Sequence, residues 1–457
     1  YYAHWAKNSA PAKPSKPDLL TAHDTGFSNT DNATYWWSQL SLSGTAEAGS
    51  TLKLYRNNSL YGQTTVASNG TWSMKVDNYQ NSWTSWVAYA SNAAGTSPAS
   101  DALSICSDIS VPSISGLSAT ATSASKYRLN ITASEAGGSG IRGYYVSTSS
   151  AKPSLSSGWA VTSATSYTFN NANPSTTYYV WVADNAGNIS NAASITPQPI
   201  NYSVNNTAWC TTFQQAVGLA GNGHTIYLLK NITDGSAGTI NKNLTFTTNG
   251  HNLTRTASIT VSSGRTVTIT GSGTLTGNMG TLIYNAGTLN ISHSGTISAT
   301  ASASNNVAAI QNNAGATLNK TGGGTIQGAN IGIYSQGRVN MSAGTVTGTA
   351  GHALKVGTAT GSVSMTGGTL SNSNNYGALN VYTSASAAVS GGTIRNYSGS
   401  ALSTYGTTTI SGSTSVIGAN SGITVQSGIL RIQGGTITGT NHGVINRGQC
   451  AISGGTI

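Results

Sequence analysis

The 457-residue sequence contains little charge, with 20 Lys and Arg and only ten Asp and Glu. Negative charge is missing from the second half, because residues 235–457 contain neither Asp nor Glu. Hydrolysis of glycosidic bonds depends on a pair of carboxyl groups, and this half of the chain lacks both. A calcium-assisted lyase would lack its oxygen ligands there as well. We therefore expect no catalytic residue, no cofactor-binding residue and no metal ligand in this chain.

Cysteine is scarce too, with Cys106, Cys210 and Cys450 spread over the chain. Three scattered cysteines exclude a disulfide scaffold and a zinc site of the usual spacing. Whether Cys106 pairs with Cys210 stays open. Cys450 shares its place in a repeat with apolar residues, so it is predicted to be a buried, reduced thiol.

Long apolar runs are absent, so the sequence predicts no membrane-spanning helix. The chain opens on Tyr1 rather than Met and ends at Ile457 inside a repeat, which predicts a processed or truncated part of a longer secreted protein. Proline and tryptophan disappear after Pro199 and Trp209. This change of composition predicts a domain boundary near residue 200.

The first two hundred residues show the short alternating strands and turn clusters of β-sandwiches. Residues 1–17 end in a Pro- and Lys-rich stretch and are interpreted as a linker. The apolar start of this segment, Tyr1–Trp5, is expected to dock on a neighbouring surface or on another copy of the chain. Residues 18–107 and 108–199 are predicted to form one sandwich each.

Particular motifs in these two segments resemble known domains. In the first, Gly44–Leu52, Asn69–Trp72 and Ala93–Ser100 resemble the bacterial immunoglobulin-like domains, which are tandem spacers on surface adhesins. In the second, the alternating strand Tyr178–Ala183 leads into the turn cluster Asp184–Asn188. That pattern is similar to an immunoglobulin or fibronectin type III module.

An internal repeat dominates residues 200–457. A Gly/Ser-Thr-apolar step recurs at intervals of 20 to 29 residues, about 23 on average. A turn of three short strands needs a little over 20 residues, which predicts a parallel β-helix. Pairs of apolar residues separated by one outward-pointing residue precede the steps and should point into the core. These inward pairs include Val339/Met341, Val363/Met365, Leu430/Ile432 and Cys450/Ile452.

A capping helix is predicted at the start of the repeat, because an exposed β-helix end would bare a strand edge and an apolar core. Thr207 is a candidate N-cap, and the apolar residues that follow have helical spacing: Trp209, Phe213, Ala216, Val217 and Ala220. The helix, the stretch Gly221–Leu228 and the later Asn-Gly-His-Asn-Leu segment resemble right-handed β-helices with a pectate-lyase-like fold, especially those of large bacterial surface proteins. The sequence thus predicts an all-β chain of two Ig-like sandwiches and a right-handed parallel β-helix.

Other candidate site residues favour structural roles. The histidines His224, His251, His293, His352 and His442 have no metal-ligand spacing and are expected at polar corners. Asp24 and Asp31 resemble the start of adhesin modules that sometimes bind calcium, although a capped turn is the simpler interpretation.

Aromatic side chains form two groups that could contact sugars or simply pack. The first group is Tyr35, Trp36, Trp37, Trp83 and Trp86. The second, in the repeat, is Tyr284, Tyr334, Tyr376, Tyr382, Tyr397 and Tyr405.

The missing carboxylates favour a non-catalytic protein. The resemblances imply an extracellular protein of the bacterial cell surface, either an adhesin or a fibre or stalk subunit. The alternative is a carbohydrate-binding or carbohydrate-cleaving β-helix whose key groups lie outside this sequence. We expect self-association into a fibre or surface array, or a glycan or host-surface ligand, as partners. No motif predicts specific binding of nucleic acid.

Overall fold

The computed structural model describes residues 9–301, 307–357 and 360–457. It is an all-β chain that divides into two compact units. The first unit contains the chain up to Gln198 except residues 121–125, and the second contains those five residues and Pro199–Ile457. The expected docking segment Tyr1–Trp5 lies outside the described residues.

The first unit begins with a β-sandwich of two antiparallel sheets, one of three strands (β1, β3, β6) and one of six (β2, β4, β5, β7, β8, β9), with β2 parallel to β9. Its strands are β1 (Asp18–Leu19), β2 (Ala33–Thr34), β3 (Leu40–Thr45), β4 (Thr51–Arg56), β5 (Ser59–Thr65), β6 (Thr71–Val76), β7 (Ser82–Asn92), β8 (Gly95–Thr96) and β9 (Leu103–Ser107). The predicted alternation is confirmed, because Leu52 and Leu54 are buried and Lys53 between them is not. A single 3-10 turn spans Thr21–His23.

A second sandwich follows in the same unit. Its strands are β10 (Ser113–Ser123), β11 (Lys126–Ser134), β12 (Ile141–Ser147), β13 (Ala160–Val161), β14 (Ser166–Ala172), β15 (Tyr178–Asp184) and β16 (Ala193–Ile195). The central strand β15 pairs with β12 and β16, and its buried Val180 and Val182 belong to the core. The predicted turn 184–188 connects β15 to a bridge between Ala183 and Ile189.

The expected linker packs on the first sandwich over the part that the structure describes. The Ser15 amide donates to Thr45 O at 3.0 Å, and Lys13 Nζ lies 2.7 Å from Asp101 Oδ1. Pro11, Pro14 and Pro17 are buried. Residues 9–17 therefore pack along the first sandwich, since burial of the apolar proline rings is favourable. The assignment of residues 1–17 as a linker stays a prediction.

The second unit is a parallel β-solenoid of about ten turns preceded by one short helix, α1 (Phe213–Leu219). Two strand stacks share a 22-stranded sheet with the antiparallel β17 and β18, and a third stack forms a ten-stranded sheet. The strands are β17 (Tyr202–Val204), β18 (Ala208–Cys210), β19 (His224–Leu228), β20 (Ile232–Asp234), β21 (Gly238–Ile240), β22 (Leu244–Thr247), β23 (Leu253–Arg255), β24 (Ile259–Val261), β25 (Thr266–Thr270), β26 (Leu275–Gly277), β27 (Ile283–Asn285), β28 (Thr288–Ile291), β29 (Thr296–Ala299), β30 (Ala308–Asn312), β31 (Thr317–Lys320), β32 (Thr325–Gly328), β33 (Ile331–Ser335), β34 (Arg338–Met341), β35 (Thr345–Gly348), β36 (Leu354–Val356), β37 (Ser362–Met365), β38 (Thr369–Asn372), β39 (Leu379–Val381), β40 (Ser386–Val389), β41 (Thr393–Asn396), β42 (Leu402–Thr404), β43 (Thr407–Ile410), β44 (Ser415–Gly418), β45 (Ser421–Val425), β46 (Ile429–Gly439), β47 (His442–Asn446) and β48 (Gln449–Thr456).

Successive turns of the solenoid place equivalent residues in columns, because the parallel strands pair in register up to a shift in the last pairing, after Ile432. The inward pairs Val339/Met341, Val363/Met365 and Leu430/Ile432 are buried in one continuous core, as predicted. Cys450 and Ile452 stand in the same two columns, above Leu430 and Ile432.

The last turn departs from the expected burial. Cys450 is only half-buried, so the prediction of a buried thiol there is wrong, and Ile452 exposes 57% of its surface. In the structure, this turn has a neighbouring turn on one side only. Cys106 and Cys210 are both buried free thiols.

The capping helix is shorter than predicted and starts later. Its N-cap is Thr212, whose side chain accepts from the Gln215 amide in a capping box, and not Thr207. Trp209 lies in β18, which pairs with β17, so strand pairing prevails over its helical spacing. Phe213 and Ala216 are buried as expected.

A buried ion pair joins this cap to the solenoid. Asp234 Oδ1 lies 3.3 Å from Arg255 Nη1, and Asp234 Oδ2 accepts from Tyr202 Oη and from the Phe213 amide, both at 2.7 Å. Hydrogen bonds from its neighbours hold the pKa of Asp234 below its usual value despite burial. The Arg255 guanidinium lies 5.0 Å from the Phe213 ring. Asp234 is thus engaged in holding the cap.

Replacing Asp234 with Ala should destabilise the second unit by about 3–5 kcal/mol, because Arg255 would remain as an uncompensated buried charge. Tyr202→Phe removes one hydrogen bond to the same carboxylate and should cost about 1 kcal/mol. Urea unfolding followed by far-UV circular dichroism measures both changes. A loss in Asp234→Ala no larger than that in Tyr202→Phe would contradict this role.

A lysine occupies a column that is otherwise apolar. Lys320 stands between Ile291 and Met341 and is 1% exposed. Its ammonium donates to Gly322 O, and burial lowers its pKa to about 8. The folded chain therefore holds this proton less tightly than the unfolded chain, and the resulting cost is full below pH 8 and fades as the pH rises towards 10.5.

Lys320→Met should raise the stability of the second unit by about 1–3 kcal/mol at pH 7, because methionine fits this column and carries no buried charge. The gain over the natural chain should shrink between pH 8 and 10.5. Thermal unfolding of both proteins across this range gives the difference directly. A gain that is independent of pH would show that packing alone, and not the buried charge, explains it.

Candidate functional site

The structure brings together three carboxylates, Asp108, Glu135 and Asp184, that no sequence motif connects. Asp108 directly follows β9, Glu135 follows β11 and Asp184 ends β15, so the group joins the two sandwiches of the first unit. One oxygen from each residue lies within 4.8 Å of the others. Asp108 and Asp184 are fully buried, and Glu135 is half-buried. Among the described residues, this is the group whose ligand atoms are close enough to hold a metal ion.

Backbone and amide donors hold the carboxylates in place. The Ser139 amide donates to Asp108 Oδ2 at 3.0 Å. The Asn188 amide and side chain donate to the two oxygens of Asp184, both at 2.8 Å, and the same side chain donates to Asp108 O at 2.9 Å. Glu135 accepts from the Gly137 and Gly140 amides. The cluster is therefore ordered before any ligand arrives.

Glycine at position 137 is required by this arrangement. A Cβ there would lie 1.6 Å from Asp108 Oδ1, which no side chain could tolerate. The backbone of the second sandwich can approach the Asp108 carboxylate only because this residue has no side chain.

The electrostatic cost of the cluster appears in the pKa values of its member Asp184 and of the neighbouring Cys106. Burial raises the pKa of Asp184 to about 7; the Asn188 hydrogen bonds oppose this rise, and the charges of Asp108 and Glu135 add to it. Burial, followed by the same three carboxylates, raises the pKa of Cys106 to about 12. Carboxylate oxygens are the ligands that calcium prefers, and a dication would offset this repulsion. The cluster is chemically suited to a hard divalent cation.

Asp24 and Asp31 do not belong to this cluster. Asp24 Oδ2 accepts from the Asn32 amide and Asp31 Oδ1 accepts from the Ala33 amide, both at 3.1 Å, which is the geometry of a capped turn. Burial raises the pKa of Asp24 to about 6. Calcium binding by these two residues stays untested.

Two of the five repeat histidines are buried rather than placed at polar corners. His293 is 1% exposed and lies 3.2 Å from Thr248 Oγ1, and His352 Nδ1 lies 2.8 Å from Gly377 O. Burial lowers the pKa of both side chains, which favours neutral rings at physiological pH. His224, His251 and His442 are half-buried or exposed.

The aromatic groups divide between packing and exposure. In the first sandwich Trp86 is buried and Trp36 is half-buried, whereas Tyr35, Trp37 and Trp83 are exposed. In the solenoid Tyr284, Tyr376, Tyr382, Tyr397 and Tyr405 are exposed, and Tyr334 is half-buried. The solenoid tyrosines thus lie on its surface, where they can meet a ligand.

Comparisons with known proteins identify only part of the chain. The sequence matches the Bacterial Ig domain family over residues 31–107, within the first sandwich. The comparison with curated proteins finds no match. No described helix has the length and apolar character needed to cross a membrane.

Several solved structures are similar to about two fifths of the chain. The human OSCAR ligand-binding domain is 12% identical, with a TM-score of 0.26 and coverage of 41% of this chain and 99% of that one. The chicken CNTN1 FN1-FN3 domains are 15% identical, with a TM-score of 0.24 and coverage of 41% and 68%. The fibronectin(III)-like modules of CbhA from Clostridium thermocellum are 14% identical, with a TM-score of 0.22 and coverage of 40% and 95%.

Calcium should raise the unfolding temperature of the first unit by a few degrees at neutral pH, because an ion that binds only the folded state stabilises it by mass action. EDTA should reverse the shift. Asp184→Asn should abolish the response, whereas Asp101→Asn, which removes an exposed carboxylate of the same unit, should keep it. Scanning calorimetry of the whole chain measures these shifts. An equal calcium response in Asp184→Asn would place the ion elsewhere.

Proposed function

We propose that this chain is a non-catalytic, extracellular protein of the bacterial cell surface that acts as an adhesin or as a stalk subunit. The observation that carries the proposal is a solenoid of about ten turns without a single Asp or Glu in residues 235–457. A surface of that kind is suited to attachment and structure rather than to bond cleavage. Ig-like and fibronectin-like sandwiches combined with a β-solenoid are consistent with an extracellular structural or adhesive protein.

The lack of catalysis is argued from the groups that cleavage would need. A glycosidase needs a pair of carboxyl groups that flank the scissile bond. The acid closest in sequence to the repeat, Asp234, is 6% exposed and is engaged with Arg255, Tyr202 and the Phe213 amide. Its geometry supports a structural role.

The location on the cell surface is supported by the first unit. Its first sandwich matches the Bacterial Ig domain family over residues 31–107. Bacterial immunoglobulin-like domains are tandem spacers on surface adhesins. The second sandwich of the chain has an architecture similar to that of the first. We propose that the sandwiches serve as spacers and that the solenoid provides the surface for attachment. Self-association into a fibre stays a prediction.

Carbohydrate binding is the second candidate function, and exposed tyrosines on the solenoid favour it. Tyr382 and Tyr405 lie on consecutive turns with ring centroids 5.7 Å apart. Aromatic rings with a polar edge are suited to contact with sugar rings, which present an apolar face and hydroxyl groups. This function is compatible with an adhesin, since attachment requires a ligand.

Antibodies against the first sandwich should label intact cells of the producing bacterium without permeabilisation. The purified chain should release neither reducing ends nor unsaturated products from pectin, polygalacturonate or host glycans, with or without calcium. Chromatography of the digests measures the second outcome, with Asp234→Asn as the matched variant. Labelling only after permeabilisation would contradict the location. Any turnover by the natural chain would contradict the lack of catalysis, and the Asp234→Asn variant would then show whether Asp234 takes part in it.

A further inference from the structure

One corner of the solenoid carries a continuous row of polar and aromatic side chains from turn to turn. The amides of Tyr382, Tyr405, Gln426 and Arg447 donate to the carbonyls of Val356, Val381, Thr404 and Val425, which lie one turn earlier. The four donors therefore stand in one column. Lys355 lies next to this column on β36, one turn before Tyr382. We call these residues, together with Tyr334, the corner stripe.

The members of the corner stripe hold one another in place. Lys355 Nζ lies 5.6 Å from the centroid of the Tyr334 ring and 4.8 Å from that of Tyr382, so the cation sits close to both aromatic rings. The Tyr382 and Tyr405 rings stack with an angle of 26° between their planes. The stripe is thus organised in advance, which reduces the entropy that a ligand must overcome.

Gly357 makes room for the first ring. A Cβ at this position would lie 2.8 Å from Tyr334 Oη and 2.9 Å from its Cε2. Gly357 is the residue of its turn that stands in the column of Tyr382, and it has no side chain. The Tyr334 ring covers this position instead. As a result, tyrosine rings occupy this place and the next two turns.

The charge of the stripe favours an anionic ligand. Three of the nine cations in residues 235–457 are engaged away from the stripe: Arg255 pairs with Asp234, Lys320 is buried, and Lys242 donates to carbonyls at the end of α1. On the stripe, Lys355 lies against the Tyr334 and Tyr382 rings and the exposed Arg447 donates to Gln426 Oε1 at 3.1 Å. Residues 235–457 contain no carboxylate that would repel an anion. An acid-free surface attracts anions.

The spacing of the cations selects a polymer of low charge density. Lys355 and Arg447 are four turns apart, or about 19 Å at the usual separation of paired strands. Between them the stripe offers two tyrosines and one glutamine, which carry no charge. A nucleic acid has a phosphate on every nucleotide and is bound by closely spaced cations, which this surface lacks. Separated charges fit a polysaccharide in which acidic and neutral sugars alternate.

We propose that the corner stripe binds a linear polysaccharide that carries a carboxylate on every second sugar and runs along the solenoid axis. Lys355 and Arg447 pair with two of the carboxylates, and the tyrosine rings and hydroxyls contact the sugar rings that lie between these two carboxylates. This inference rests on the proposed adhesive function and names the ligand class for it.

Binding of the whole chain to hyaluronan oligosaccharides, a probe with one uronate in every second sugar, tests the proposal by calorimetry. Lys355→Gln and the double variant Tyr382→Ser/Tyr405→Ser should each weaken binding at least about tenfold, the factor that 1.4 kcal/mol represents. Arg395→Gln is the matched control. It removes one cation from β41, which belongs to the other sheet of the solenoid, and should change the affinity less than about twofold.

Neutral dextran should not bind, and circular dichroism should show that all variants are folded. A third variant, Gly357→Ala, should displace the Tyr334 ring and weaken hyaluronan binding even if the tyrosine double variant fails to fold. Equal affinity in Lys355→Gln and the natural chain, absence of hyaluronan binding, or tighter binding of single-stranded DNA would each overturn the inference. These outcomes leave the surface location untouched, because antibody labelling of intact cells tests it separately.

Discussion

The parallel hydrogen-bonded pairing of successive turns is the constraint on which the second unit depends. The strands of the inner turns pair in register with the strands one turn earlier, so a residue such as Val339 or Val363 has a fixed neighbour on each side. Whether a side chain fits a position then depends on the residues directly above and below it in the same column. Val339, Val363 and Leu430 share one such column and are buried together. The regular core follows from pairing in register, since a slip by one residue would turn every apolar side chain outwards.

The same constraint explains why the exceptions are informative. Lys320 stands in an apolar column and must bring its ammonium to a carbonyl, with a lowered pKa as the consequence. Asp234 and Arg255 are buried as well, but their opposite charges form an ion pair where the helix meets the first turns. Columns of outward-pointing residues form the surface of the solenoid. The row from Tyr382 to Arg447 is one of them, because its residues occupy equivalent positions on successive turns.

The first unit depends on a different interaction, the hydrogen-bonded carboxylates where its two sandwiches meet. Asp108, Glu135 and Asp184 come from three separate strand ends, and Asn188 connects two of them. The pattern of the 184–188 segment predicts a turn but does not indicate a site. The available signal was an acid at the end of a buried strand in each sandwich. It was insufficient because the distance between strand ends depends on how the two sandwiches pack.

Sequence by itself determined the all-β class, the repeat and the inward pairs, because alternation and a period of about 23 residues are local properties of the chain. It also determined that residues 235–457 contain no carboxylate. Only the tertiary structure decided that Thr212 is the N-cap of α1, since Trp209 lies in β18, which pairs with β17. The carboxylate cluster, the burial of His293 and the corner stripe were likewise decided in three dimensions. Each depends on contacts between residues more than twenty positions apart, which no local pattern specifies.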